Sequence, residues 1–137
     1  MRKNAWCSGV LAVLICCLTA CEDAFKSAEE KLDDRVKAYH QARLNNDFEL
    51  AYSFMSKGYR SLTPIKLFIK NIAPTVRFVD FEVISKKCEE SFCIIDVKIR
   101  YRYTGAAAVA MGSDYVMTRG YQEKWIEAEN QWWLVDL

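Results

Sequence analysis

A chain of 137 residues, 52% apolar and 13% aromatic, carries enough hydrophobic material for one domain with a single core, and that composition argues against a disordered polymer. Its 19 lysines and arginines nearly cancel its 18 aspartates and glutamates, for a net charge of +1. This balance argues against nucleic acid as a partner, because phosphate-backbone binding is driven by clustered cations that release counterions.

The chain opens with Met1-Arg2-Lys3-Asn4, a positively charged start, followed by a run from Ala5 to Ala20 that is apolar apart from Ser8 and Thr19, with Gly9 in its middle. About 16 residues is short of the roughly 20 a membrane span needs, so the run reads as a secretory leader. Its end, Leu18-Thr19-Ala20-Cys21, resembles the lipobox of bacterial lipoproteins, in which the cysteine becomes the lipid-bearing first residue of the mature protein. The alternative is an uncleaved N-terminal anchor helix with an incidental cysteine. The resemblance implies a signal peptide over 1–20, a lipidated tether over 21–27 and a folded domain over 28–137. A thiolate is the nucleophile such lipidation requires. Each acyl methylene buried in the bilayer contributes about 0.8 kcal/mol, so the implied chains at Cys21 would hold the protein at the membrane. Glu22 stands where an Asp resembles an inner-membrane retention signal, which favours the periplasmic face of the outer membrane. Cys7, Cys16 and Cys17 fall within the leader and read as apolar residues. Without the leader, 17 basic residues face 18 acidic ones.

Beyond the tether, Leu32, Val36, Tyr39 and Arg43 recur at helical spacing, with Glu29, Glu30, Asp33, Asp34 and Lys37 on the other side. Asn45-Asn46-Asp47 breaks this helix and offers a cap to a second, from Phe48 to Met55, which Lys57-Gly58 ends. Thr63-Pro64 opens a third short helix through Lys70, with Leu67, Phe68 and Ile72 expected inward and Pro74 as its stop.

From Val76 the period changes to two and strands are predicted. The first is Arg77 to Lys87. In the second, Cys93, Ile95, Val97, Ile99, Tyr101 and Tyr103 alternate with Ile94, Asp96, Lys98, Arg100 and Arg102. Glu89 to Phe92 suits a hairpin loop that faces Cys88 toward Cys93. In the oxidising compartment implied by the lipobox these two thiols are expected to form a disulfide. The alternatives are weaker: a metal site lacks further His or Cys ligands, and a redox centre has the wrong spacing. Pairing Cys88 with Cys93 leaves Phe81 and Val83 out of phase with the apolar face, which a bulge would reconcile. The glycine-bracketed run from Thr104 to Ser113 reads as a floppy or strand-extending connection, or as a lid or lipid-facing contact. Tyr115 to Ala128 and Gln131 to Leu137 make a last hairpin about Glu129-Asn130, with large rings on both faces.

Helices followed by a meander of antiparallel strands give an α+β layout, with helices on one face of a curved sheet. The run Val36 to Tyr52, in which a helix ends in Asn45-Asn46-Asp47 ahead of an aromatic second helix, resembles the nuclear transport factor 2-like superfamily, which includes SnoaL-like proteins. So does the run Glu123 to Asp136, with Trp125, a turn, and Trp132-Trp133. The resemblance implies a cone-shaped fold whose enzymes hold Asp, His or Tyr acid/base groups inside. Here the single histidine, His40, is the candidate, and Asp96 and Asp114 are its candidate partners. Asp96 alternates onto the polar strand face and Asp114 falls in a loop, so no coherent dyad emerges. The chain has no Gly-rich phosphate cradle, HExxH or nucleophile elbow, and no cofactor or metal is expected.

A non-catalytic binding or assembly module is therefore favoured over a small isomerase or hydrolase using His40, or an envelope-stress lipoprotein whose anchor is its function. Tyr101, Trp125, Trp132 and Trp133 are the expected surface for a hydrophobic ligand, a homodimer or an envelope protein partner. The membrane itself is the partner expected at Cys21.

Overall fold

A computed structural model of the chain describes residues 26–72, 76–112 and 115–136. The lipobox with Cys21, and Asp114, lie outside the described residues. Among those residues, no helix is long and apolar enough to cross a membrane.

Helix α1 (Ala28–Leu44) starts from a capping box: the Ser27 hydroxyl accepts from the Glu30 N–H while the Glu30 carboxylate accepts from the Ser27 N–H. That arrangement satisfies two of the donors a helix start leaves bare, and it holds the Glu30 carboxyl below its ordinary range. Leu32, Val36, Tyr39, His40 and Arg43 follow at helical spacing and are buried. The helix stops at Asn45 and left-handed Asn46 (φ 58°), and Asp47 then caps α2 (Phe48–Ser53) by accepting from the Leu50 N–H.

Lys57-Gly58 does not end the helical region: Ser56 caps a further helix, α3 (Lys57–Leu62), which buries no residue and so has no apolar periodicity to betray it. In α4 (Ile65–Ile72) Phe68 is buried but Leu67 is exposed, because the short helix presents a narrow face to the core.

The sheet consists of β1 (Val76–Glu89), β2 (Phe92–Tyr103), β3 (Val116–Ala128) and β4 (Gln131–Asp136), paired antiparallel in chain order. Strand β2 alternates cleanly, with Cys93, Ile95, Val97, Ile99 and Tyr101 buried beneath the helices. In β1 the pairing slips at Val79 and again at Ile84. These two bulges place Phe81 opposite Ile99 and Val83 opposite Val97, so both join the inward face although Cys88 still pairs with Cys93. Cys88 and Cys93 are joined by a disulfide at the β1–β2 turn.

Between β2 and β3 the small apolar run coils into a short helix, α5 (Ala106–Met111), instead of extending the strands, with Gly105 and Gly112 at positive φ on either side. The β3–β4 turn uses Glu129 (φ 57°) and Asn130 (φ 59°), a pair of left-handed residues whose twist suits a two-residue hairpin. The far edge of β4 is covered by the segment after α2, since Leu134 N–H donates to the Phe54 carbonyl and Ser56 N–H donates to the Leu134 carbonyl. The core between helices and sheet centres on Leu32, Tyr39, Phe68, Ile95, Trp125 and Leu134.

Candidate functional site

The helical repeat of α1 aims Tyr39, His40 and Arg43 at the sheet, and the β2–β3 register sets Glu123 opposite Ile95 on the inward face, two residues before Trp125. His40 and Glu123 thereby meet in the core, each 2% exposed, with Nε2 of the imidazole 3.1 Å from Oε1 of the carboxylate. The approach is off the line a hydrogen bond requires, so Nε2 faces the carboxylate as a close polar contact without a partner of its own. The other oxygen, Oε2, accepts from the Trp125 indole N–H at 3.1 Å. Asp96, by contrast, points to the outer face, where Ser85 and Gln122 donate to it and hold its carboxyl below the ordinary range. It is not the partner of His40. That partner, Glu123, escaped the sequence reading because a charge at that point of β3 looks like a solvent-facing residue. Its even spacing from Trp125 was the available signal.

Aromatic rings close around the pair. Phe81 stacks on the His40 ring with centroids 4.6 Å apart and planes 20° from parallel, and Tyr39 meets it edge-on at 5.0 Å. Arg43 lies 4.1 Å above the Phe78 ring and 5.4 Å from that of Tyr39. Burial pushes the Tyr39 hydroxyl well above its ordinary pKa, with the Arg43 guanidinium beside it pulling the other way. Tyr39 Oη and Arg43 Nε are buried without hydrogen-bond partners, like His40 Nε2. The narrow cleft bounded by His40, Arg43, Leu44, Phe78, Asp80, Phe81 and Ile99 has no room for a water molecule.

The aromatic residues expected at a surface belong to the interior. Trp125 and Trp132 are core residues, the latter donating its indole N–H to the Ala28 carbonyl at 2.8 Å, and Tyr101 is buried on β2. Helices on one side of the hairpin cover them. Trp133, on the opposite face of β4, is half-buried: Arg35 and Arg60 place their guanidinium groups 5.2 Å and 5.6 Å from its rings, and Arg35 also lies 4.6 Å over Phe54. The apolar excess is thus absorbed by core on one face and met by arginine guanidinium groups on the other.

Concave surface lies elsewhere. A groove of about 600 Å³ runs between α1 and β1, lined by Lys37, Ala38, Gln41, Phe81 and Val83. A second, of about 400 Å³, lies between the start of α1 and the β3–β4 turn, where Asp34, Arg35, Glu129 and Trp132 line it. Among the described residues, no cluster of three or more His, Cys, Asp or Glu side chains is arranged to hold a metal ion.

No protein-family model matches the chain, and no curated protein does. Solved structures do share its fold. A SEC-C motif-containing protein from Rhodopseudomonas palustris superposes with a TM-score of 0.63 at 13% identity, over 83% of this chain and 81% of that one. Another SEC-C motif-containing protein, from Psychrobacter arcticus, gives 0.61 at 13% identity over 98% and 75%. A protein from Streptomyces avermitilis, described as a dehydratase of the NTF2-like family, gives 0.52 at 12% identity over 78% and 91%. At these identities the likeness is one of fold: helices on a curved four-stranded antiparallel sheet.

Proposed function

We propose that this chain is a lipid-anchored envelope protein whose folded part, of the nuclear transport factor 2-like type, works as a binding or assembly module and not as a catalyst. The observation that carries this reading is the sealed core. The one histidine of the chain is stacked beneath Phe81, and its cleft admits no water, whereas the roomy concave surface lies outside, between α1 and β1. General acid/base work needs a proton-transfer group within reach of substrate, directly or through one water. The anchor part of the proposal rests on Leu18-Thr19-Ala20-Cys21.

Two measurements test it. Mass spectrometry of the protein recovered from membranes is expected to show a chain beginning at Cys21 and carrying acyl groups. A retained leader would refute the anchor. For the full-length chain in detergent, tryptophan fluorescence against a panel of hydrophobic ligands and peptides, with light scattering, is expected to reveal a ligand or a stable self-association. A strict monomer that binds nothing would overturn the module reading.

A second reading has one observation in its favour. His40 Nε2 faces the buried Glu123 carboxylate at 3.1 Å, and Tyr39 Oη and Arg43 Nε on the same helix are also buried without partners, an arrangement found where acid/base groups are kept ready. An isomerase or hydrolase at this site requires that His40→Ala abolish any activity later found; full activity in that variant removes this reading.

A further inference from the structure

The groove beside β1 has the shape and chemistry of a strand-docking site. β1 is an edge of the sheet, and among the described residues no strand pairs with its outer side, although the Phe81 N–H already donates to the Asp80 carboxylate at 2.8 Å. Its two bulges fall at Val79 and Ile84, so that between them Asp80, Phe81, Glu82 and Val83 form one regular stretch in register with β2. Phe81 and Val83, from that same stretch, form one wall of the groove, and Lys37, Ala38 and Gln41 of α1 form the other. Val79, Val83 and Ile84 remain 41%, 43% and 46% exposed, a run of β-branched surface on a strand edge that proteins ordinarily protect.

Two contacts between α1 and β1 bracket the groove along the helix: Lys86 reaches across to bind Asp33 at 2.9 Å and Glu29 at 3.3 Å, and Arg43 lies over Phe78. The α1 segment from Asp33 to Arg43 spans roughly 15 Å at 1.5 Å per residue. An extended chain rising about 3.3 Å per residue fills that length with four to five residues. The lining is apolar apart from Gln41 and Lys37; Asp34, one turn before Lys37, binds Lys26 at 2.7 Å and is also drawn on by Lys37. Lys37 is the one charged side chain among the residues that line the groove, with Asp80 and Glu82 on the neighbouring strand edge.

We propose that this groove docks an extended segment of a protein partner: four to five residues add to the β1 edge, turn alternate apolar side chains onto Phe81 and Val83, and set one carboxylate against Lys37. Main-chain hydrogen bonds to the edge supply affinity, and the side chains that enter the groove supply choice of partner. The proposal rests on the binding-module reading and names the partner class for it. A built-in reporter exists, since the far face of Phe81 stacks on His40, the single histidine, whose imidazole gives one unambiguous NMR signal.

The probe is a displayed library of random octapeptides selected on the full-length chain in detergent. The expected winners alternate β-branched residues and carry an Asp or Glu. Titrating a winner should shift the amides of residues 79–84 and the His40 imidazole. Ala38→Trp, which fills the groove from an exposed helix position, should weaken binding at least tenfold, and Lys37→Glu should weaken acidic peptides while favouring lysine-bearing ones. Val83→Lys provides the same test should Ala38→Trp unfold. A library that enriches nothing overturns the proposal, and the hydrophobic-ligand arm of the earlier assay then decides the module reading by itself. Peptides whose shifts fall on β3 or α5, or that ignore both groove variants, overturn the site while leaving a binding module. A dimer that Ala38→Trp dissociates overturns it in favour of a second copy of this chain.

Discussion

Replacing His40 with Phe keeps a ring of similar size against Phe81 but removes the nitrogen that faces Glu123. The Glu123 carboxylate, 2% exposed, would retain the Trp125 indole N–H at 3.1 Å as its donor and lose the imidazole at its other oxygen. Leaving a buried polar group without its partner costs about 1–3 kcal/mol, because the group left behind stays desolvated. The His40 contact is off-line for a hydrogen bond and Glu123 keeps the Trp125 donor, which places the expected loss at about 2 kcal/mol. Adding Glu123→Leu then removes the stranded carboxylate, and the residual cost is the Trp125 N–H without an acceptor, about 1–3 kcal/mol. The double variant should therefore be more stable than the sum of its parts by about 0.5–3 kcal/mol, as residues in contact are. Guanidinium unfolding of the full-length chain in a non-denaturing detergent, followed by tryptophan fluorescence, measures all four corners of the cycle. A His40→Phe loss under about 1 kcal/mol, or additive effects within about 0.5 kcal/mol, would refute the view that His40 and Glu123 hold each other in the core.

Three further outcomes follow from single features. Reducing the Cys88–Cys93 disulfide, which closes a separation of only 5 residues, should cost about 2 kcal/mol, at the low end for such bonds, as read by the unfolding midpoint with and without reductant. Arg35→Ala together with Arg60→Ala uncovers Trp133 and should destabilise by about 1–2 kcal/mol while shifting tryptophan emission to the red; an unchanged spectrum would mean the guanidinium groups do not cover the ring. The carboxyls of Asp80, beside Arg100, and Asp96, beside Ser85 and Gln122, are held below their ordinary value of 3.8, so their contribution is present above that pH and lost as pH falls through the lowered values. Melting curves between pH 2 and 5 should show this acid arm flattened in Asp96→Asn.

What could be read from the chain was whatever repeats. The α1 face declares itself because Leu32, Val36 and Tyr39 are buried at helical spacing, and β2 because its burial alternates residue by residue. The β3–β4 turn was legible from Asn130, which tolerates the left-handed backbone observed there. What stayed hidden has no period. Helix α3 buries nothing, and its start depends on one hydroxyl, with Ser56 accepting from the Tyr59 N–H at 3.1 Å. The bulges at Val79 and Ile84 cannot be placed from β1 alone, because they are set by register against β2. Of the site, His40 was found as the sole histidine, whereas Glu123 was missed because a carboxylate on the inward face of a strand violates the pattern that marks that face.

The two faces of α1 tie the core to the groove. Tyr39, His40 and Arg43 face the sheet while Lys37, Ala38 and Gln41 line the groove, and Phe81 is the ring that touches both sets. The His40 ring stacks on it from behind, within the Asp80 to Val83 stretch that the two bulges bound. His40→Phe preserves that backing and His40→Ala removes it. The first variant should lower stability while leaving peptide affinity for the groove within about twofold, whereas the second should lower both, because Phe81 can then sink into the vacated space. Equal effects of the two variants on affinity would show that the groove is shaped by β1 and α1 without support from the buried pair. The separation works because a stacked ring transmits shape and not charge, so the polar contact with Glu123 can be lost without moving the wall that an incoming strand would meet.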